Sequence, residues 1–320
     1  MDWSIHMNSQ TYGFHHITAI SGHPQITMDF YHGILGLRLI KQTVNFDDPN
    51  TYHFYFGDYN ASPGSVLTFF PWAFSKPGVI GDSQVSEIGL LIPKGAYDFW
   101  KTRLTAFNTT VTEEIQFNEK LIKFKDPFGL PLYLKESDKA LTKSYVFDDI
   151  NESSSIIGVG GVVISLEDYT LTKDLLVNTF FYRQTNEDDI FVRLSSTDHN
   201  YTIDLRKNSS VKAKMGVGTV HHIALSVDSL EEEQAFQSQL KRLGYTPTEV
   251  KDRNYLKSIY FRDHNQILFE LATKNPGFTI DEPLETLGET LKLPKQYEPY
   301  RHQIEAVLLP FNKRVIRKSK

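Results

Sequence analysis

The chain runs through one order of local patterns four times: an apolar strand-like run, a stretch with helical spacing, then further strand-like runs. The first pass opens at FHHITAIS, residues 14–21, and continues through Ile26, Phe30, Ile34 and Leu37 at helical spacing, with Gly33 and Gly36 marking the helix end. LIKQTVNF, TYHFYFGD and SVLTFFPW complete it. The second pass runs from SEIGLLIP (86–93) through the helix AYDFWKTRLTAF to LPLYLKE (130–136), and the third from VGGVVISL (159–166) to YTIDLRK (201–207). The fourth runs from VHHIALSV (220–227) to QILFELAT (266–273), its helix opened by Ser229 and Glu232 in capping-box spacing. A repeat of this kind cannot bury its apolar face alone, so the units must pair. The pattern predicts an α+β fold of four βαβββ modules in two domains. The polar, serine-rich segment 135–155 marks the boundary, giving modules one and two in 10–145, modules three and four in 156–275, and a C-terminal extension over 276–320.

The modules are not equivalent in chemistry. Laid over VGGVVISL without a gap, VHHIALSV sets His221 and His222 against Gly160 and Gly161, while the first module carries its own pair, His15 and His16. A structural role common to all modules would not exchange histidine for glycine. At the end of module four Glu270 interrupts the apolar run ILFEL, and a buried carboxylate needs a partner. A cation is the simplest; Arg253 or Arg262 is the other choice. Two histidines and one glutamate on strands are the ligand types of the facial triad of non-haem Fe(II) oxygenases, although iron, manganese, zinc and nickel all suit such donors. A lone histidine in a buried strand is more often a hydrogen-bonded core residue, but two matched pairs with a buried glutamate favour a ligand role. Thr18 shares a face with His16, whereas alternation turns His15 the other way and leaves it a packing role as well. Modules two and three keep only Glu87 and Asp204 where a second site would lie, which predicts one metal per chain.

HHIT at 15–18, SPGSVLTFFP at 62–71, HHIA at 221–224, DRNYLKSIYFRD at 252–263, FELAT at 269–273 and the tail DEPLETLGETLKLPKQYEPYRHQIEAVLLP occur in this order. Together they resemble the vicinal oxygen chelate superfamily from about Phe14 to Pro310, and within it the hydroquinone-type ring-cleaving dioxygenases, including the methylhydroquinone-induced enzymes of Gram-positive bacteria. The resemblance implies curved mixed sheets that form a metal-holding cup. It implies Fe(II) on His16, His222 and Glu270, a small aromatic substrate with O2, and His15, Thr18, His221, Arg253 and Tyr260 around them. His221 would act as general acid or base, and Tyr260 and Arg253 would orient substrate or stabilise negative charge. Ring cleavage would give an acyclic semialdehyde or acyl product.

Two other readings share the modules. A glyoxalase-like isomerase with nickel or zinc would use four protein ligands, but SVLTFFPW offers no carboxylate, histidine or glutamine. A non-catalytic small-molecule binder would not need His16, His222 and Glu270 together. Nucleic acid and membrane are not expected partners: the net charge is −5 with no basic block, and no apolar run approaches the eighteen or so residues of a span. Cysteine is absent and the N-terminus has no signal-peptide pattern, so a cytoplasmic protein is expected. Exposed strand edges in paired modules point to a homo-oligomer.

Overall fold

The computed structural model describes residues 13–139, 143–198 and 200–317. Module one comprises β1 (Phe14–Ser21), α1 (Pro24–Met28), β2 (Arg38–Val44), β3 (Tyr52–Gly57) and β4 (Val66–Pro71). Module two comprises β5 (Gln84–Pro93), α2 (Tyr97–Ala106), β6 (Thr112–Gln116), β7 (Glu119–Lys125) and β8 (Pro131–Ser137). Module three follows with β9 (Gly158–Ser165), α3 (Thr170–Asn178), β10 (Arg183–Glu187), β11 (Phe191–Ser195) and β12 (Thr202–Arg206). Module four holds β13 (Thr219–Val227), α4 (Leu230–Arg242), β14 (Lys251–Asp252), β15 (Leu256–Arg262) and β16 (Leu268–Pro276).

Two helices show how far local pattern carries. In α4, Ser229 Oγ accepts from the Glu232 amide at 3.2 Å and the Glu232 carboxylate accepts from the Asp228 amide at 2.7 Å, so the first turn is capped from both sides. The helix of module one departs from its pattern. After five α-helical residues it widens into a π segment, Asp29–Ile34, which breaks the 3.6-residue period. Phe30 and Leu37 are buried as the spacing predicts, but Ile26 is left exposed.

The strands form two eight-stranded sheets, in the orders β14-β15-β16-β13-β1-β4-β3-β2 and β10-β11-β12-β9-β5-β8-β7-β6. Module one therefore shares a sheet with module four, and module two with module three. Each sheet takes one module from either side of the 135–155 segment. The first strands of the paired modules run antiparallel, β1 beside β13 and β5 beside β9. Ile17, Phe56 and Leu67 of the first sheet join Ile88, Leu90 and Val162 of the second in one apolar core. Strand alternation then turns His16, Thr18, His222 and Glu270 to the opposite face of the first sheet.

The C-terminal extension covers the free edge at β2. Lys41, fully buried, reaches Asp281 at 2.6 Å and Glu282 at 2.5 Å, and the Lys292 amide donates to the Gln42 carbonyl at 3.0 Å. Tyr297 donates to the Phe46 carbonyl at 2.8 Å, fixing the loop after β2. An edge strand closed in this way cannot pair with another chain.

Candidate metal centre

Sheet register builds the site. His16 on β1 lies level with Ala224 on β13, Ala224 with Glu270 on β16, and Glu270 with Tyr260 on β15. His222 stands one step along β13, opposite Thr18. Ala224, the smallest side chain in this row, is fully buried on the strand between those that carry His16 and Glu270. His16 Nε2 and His222 Nε2 are 3.3 Å apart, and Glu270 Oε2 lies 3.2 Å from the first and 2.8 Å from the second. All three residues are at least 95 % buried. Glu270 Oε1 accepts from the Tyr260 hydroxyl at 2.8 Å, whereas Oε2 has no aligned hydrogen-bond partner despite its close neighbours.

These donors fit a divalent cation. A metal needs neutral imidazole and ionised carboxylate. Burial pulls His222 below its ordinary value, against the pull of Glu270, and so favours the neutral ring. Burial alone would raise the Glu270 carboxyl, but His16 and then His222 hold it well below the usual range, so it is ionised. Among the described residues this is the one group of three or more histidine, aspartate or glutamate side chains whose donor atoms converge, within 4.8 Å of one another. An orphaned buried carboxylate oxygen close to two imidazole nitrogens is a donor set that a divalent cation would satisfy.

The duplicated histidine pairs have duplicate geometry. His15 Nδ1 lies 2.9 Å from His16 Nδ1, and His221 Nδ1 lies 2.8 Å from His222 Nδ1. In each pair the first ring fixes the second, leaving Nε2 of the second to face the site. Burial, with the neighbouring His16 or His222 adding, pulls both His15 and His221 down to about 3. Beyond this the pairs differ, because His221 lines the cavity over the site and His15 does not.

That cavity is about 250 Å³, lined by His16, His222 and Glu270 together with His53, Tyr55, Phe70, Tyr260 and the 45–47 loop. Arg253 also lines it. Its guanidinium packs over the rings of Phe46, at 5.3 Å, and Tyr260, at 5.5 Å, and pairs with Asp47 at 3.1 Å. Neither arginine considered as a partner for Glu270 takes that role: Arg253 goes to Asp47 and Arg262 donates to the Gln266 carbonyl at 2.7 Å. Thr18 lies behind the lining, its hydroxyl 2.7 Å from that of Thr68. The sequence reading missed His53, Tyr55, Phe46 and Asp47. The signal for the first two was present, since polar-tipped residues at alternate positions of a buried run, TYHFYFGD, share one face.

The second sheet shows what the same frame becomes without a site. Its register puts Asp204 opposite Arg193, as Glu270 is opposite Tyr260, and Gly161 where His222 would stand. Arg193 holds Asp204 with two bonds of 2.7 Å, and Gln116 adds a third at 2.8 Å. Glu87 is taken by Lys123 at 3.2 Å. A guanidinium neutralises the carboxylate there, in the register position that Tyr260 occupies in the first sheet.

Residues 13–133 match the model of the glyoxalase/bleomycin resistance protein/dioxygenase superfamily. The chain is 47 % identical over 309 residues to the "Putative ring-cleaving dioxygenase MhqO" of Bacillus subtilis strain 168, covering 96 % of this chain and 99 % of that one. It is 28 % identical over 308 residues to the chlorohydroquinone/hydroquinone 1,2-dioxygenase of Sphingobium indicum, covering 91 % and 94 %. A solved crystal structure, described as a "putative dioxygenase" from Bacillus subtilis, superposes with a TM-score of 0.94 at 47 % identity, over 96 % of this chain and 99 % of that one.

Proposed function

Because this chain belongs to the glyoxalase/bleomycin resistance protein/dioxygenase superfamily, we propose that it is an Fe(II)-dependent ring-cleaving dioxygenase acting on hydroquinone-type aromatics. The observation that carries the reading is the count of protein donors. His16, His222 and Glu270 converge, and among the described residues no fourth histidine, aspartate or glutamate joins them. On β4, the residue at the register position that Glu270 holds on β16 is Thr68, level with Thr18, and its hydroxyl is held by Thr18 and His53, so that strand brings no carboxylate or imidazole to the ion. Three donors from one side leave positions open for a ring oxygen and for O2, the arrangement of oxygen-using iron sites. A bound Fe(II) would supply the electron transfer that couples an ionised ring hydroxyl to O2; one ring carbon–carbon bond would break and both atoms of O2 would end in the acyclic semialdehyde or acyl product.

The chain's own residues account for the rest. Phe46, Phe70 and Tyr260 give the cavity flat apolar walls that exclude water and hold an aromatic ring by its faces and edges. Tyr260 steadies the ligand carboxylate by donating to Glu270 Oε1. His221, neutral at ordinary pH, lines the cavity where a substrate would lie, and any proton it accepted it would pass on readily. Arg253 sets positive charge at the cavity wall, where the ionised ring hydroxyl and the reduced oxygen would need it. His15 and Thr18 act from behind, on His16 and Thr68.

The deciding experiment is anaerobic loading with Fe(II), followed by oxygen uptake with panels of hydroquinones and catechols. Uptake with hydroquinones, weaker with catechols, is the expected result. No uptake with either at full iron occupancy would sink the proposal.

A further inference from the structure

Four side chains beside the centre form a hydrogen-bonded chain whose cavity end, His53 and Tyr55, the roles above leave unused. His53 and Tyr55 on β3 share the cavity face. His53 Nδ1 lies 2.9 Å from the Tyr55 hydroxyl, His53 Nε2 lies 2.9 Å from Thr68 Oγ1, and Thr68 Oγ1 lies 2.7 Å from Thr18 Oγ1. Both ring nitrogens of His53 are therefore satisfied within the protein. Spare capacity remains at the Tyr55 end, where a phenol oxygen has one proton and two lone pairs but a single partner in the chain. Two proton orders satisfy the four groups. In one, Tyr55 donates to Nδ1, Nε2–H donates to Thr68, and the phenol oxygen accepts from a ligand. In the other, Thr68 donates to Nε2, Nδ1–H donates to Tyr55, and the phenol proton is free for a ligand. Tyr55 can thus meet a hydroxyl either as acceptor or as donor.

Position fits this use. In the sheet, β4 separates β3 from β1, so Tyr55 stands about 10 Å from the metal-facing strand, measured along the sheet. The ring of Phe70 bridges the interval, 4.5 Å from His53 and 5.6 Å from His221. A planar ring anchored at the triad and lying along Phe70 carries its far edge toward β3. Burial keeps His53 and Tyr55 uncharged, which suits a neutral hydroxyl.

We propose that Tyr55, held by His53, is the specificity-determining contact for the ring hydroxyl that is not on the metal, so that the site selects rings bearing a second hydroxyl across the ring over rings bearing one. This rests on the dioxygenase reading of the same cavity. The test is calorimetric binding of hydroquinone and of phenol to anaerobic, Fe(II)-loaded protein, where no turnover intervenes. Wild type binds hydroquinone more tightly than phenol. Tyr55→Phe, which keeps the ring packing, weakens hydroquinone about five- to tenfold and leaves phenol unchanged, with iron content intact. His53→Gln supplies an independent readout: it raises KM for hydroquinone more than it lowers kcat and leaves phenol affinity alone. Equal losses for both rings, or no loss for either, overturn the assignment. If the wild type turns over hydroquinone and Tyr55→Phe leaves both affinities unchanged, this contact fails and the dioxygenase reading stands. If the binding preference and its loss are both seen but no oxygen is consumed, the contact stands and the dioxygenase reading fails.

Discussion

Replacing His16 by alanine should abolish metal binding by the whole chain, although the residue lies 206 positions from its partner His222. The expected size follows from linkage. A metal at a hundred times its dissociation constant stabilises the folded state by about 2.7 kcal/mol. At roughly 2–4 °C per kcal/mol for domains of a few hundred residues, the wild type should melt roughly 5–10 °C higher with metal than without. His16→Ala should show no such shift and a metal content near zero. Its metal-free form will also be weaker, since the change opens a buried space beside Glu270, 1 % exposed, and leaves that carboxylate with His222 and Tyr260 only. Losing one partner of a buried charge costs about 3–5 kcal/mol. The quantity to compare is therefore the metal-induced shift, not the melting temperature itself. Asp204→Asn is the matched control: it strips Arg193 of its buried partner at a similar cost, yet should keep the full shift and one ion per chain. Elemental analysis after anaerobic loading, with scanning calorimetry, measures both. A His16→Ala chain that retains its ion, or two tightly held ions in the wild type, would mean that the site is drawn in the wrong place.

Three further outcomes are expected. Tyr260→Phe should keep one iron at saturating metal but bind it about 10–100-fold more weakly and turn over more slowly, as titration against a chelator and oxygen uptake would show; full affinity would mean that the bond to Glu270 does nothing for the ion. Ala224→Leu should crowd the row between His16 and Glu270 and prevent loading, read by metal content, while the fold persists by circular dichroism. Glu233, fully buried on α4, has its carboxyl raised to about 7 by burial and by the charge of Glu270. The unfolded chain releases that proton near the ordinary 4.5, so the associated stability is full below 4.5 and falls as pH rises toward 7, by up to about 3 kcal/mol. Urea unfolding at pH 5 and pH 8 should show this slope in the wild type and not in Glu233→Gln; equal slopes would refute the assignment.

The fold and the metal-facing residues were legible in the chain for different reasons. Repetition of strand and helix patterns reports module count because each module is a local unit, and the histidine pairs were visible because glycine stands at the same register in the third module. Glu270 was legible as a carboxylate inside an apolar run, a placement that is costly without a partner. The widening of the first helix was not, because the π segment overrides a spacing read at 3.6 residues per turn. Alternation in TYHFYFGD set His53 and Tyr55 on one face, but it could not tell that this face lies across from the metal-facing histidines. The chain by itself determined four modules and which of them bear imidazole. The ligand set expected from the chain already required module one to meet module four; tertiary structure alone decided that the two share one sheet with β1 beside β13, that Ala224 stands level with both His16 and Glu270, and that Arg193 closes the equivalent place in the other sheet. Those are matters of strand neighbour and register, set by the burial of whole sheet faces, and no local stretch of sequence encodes them.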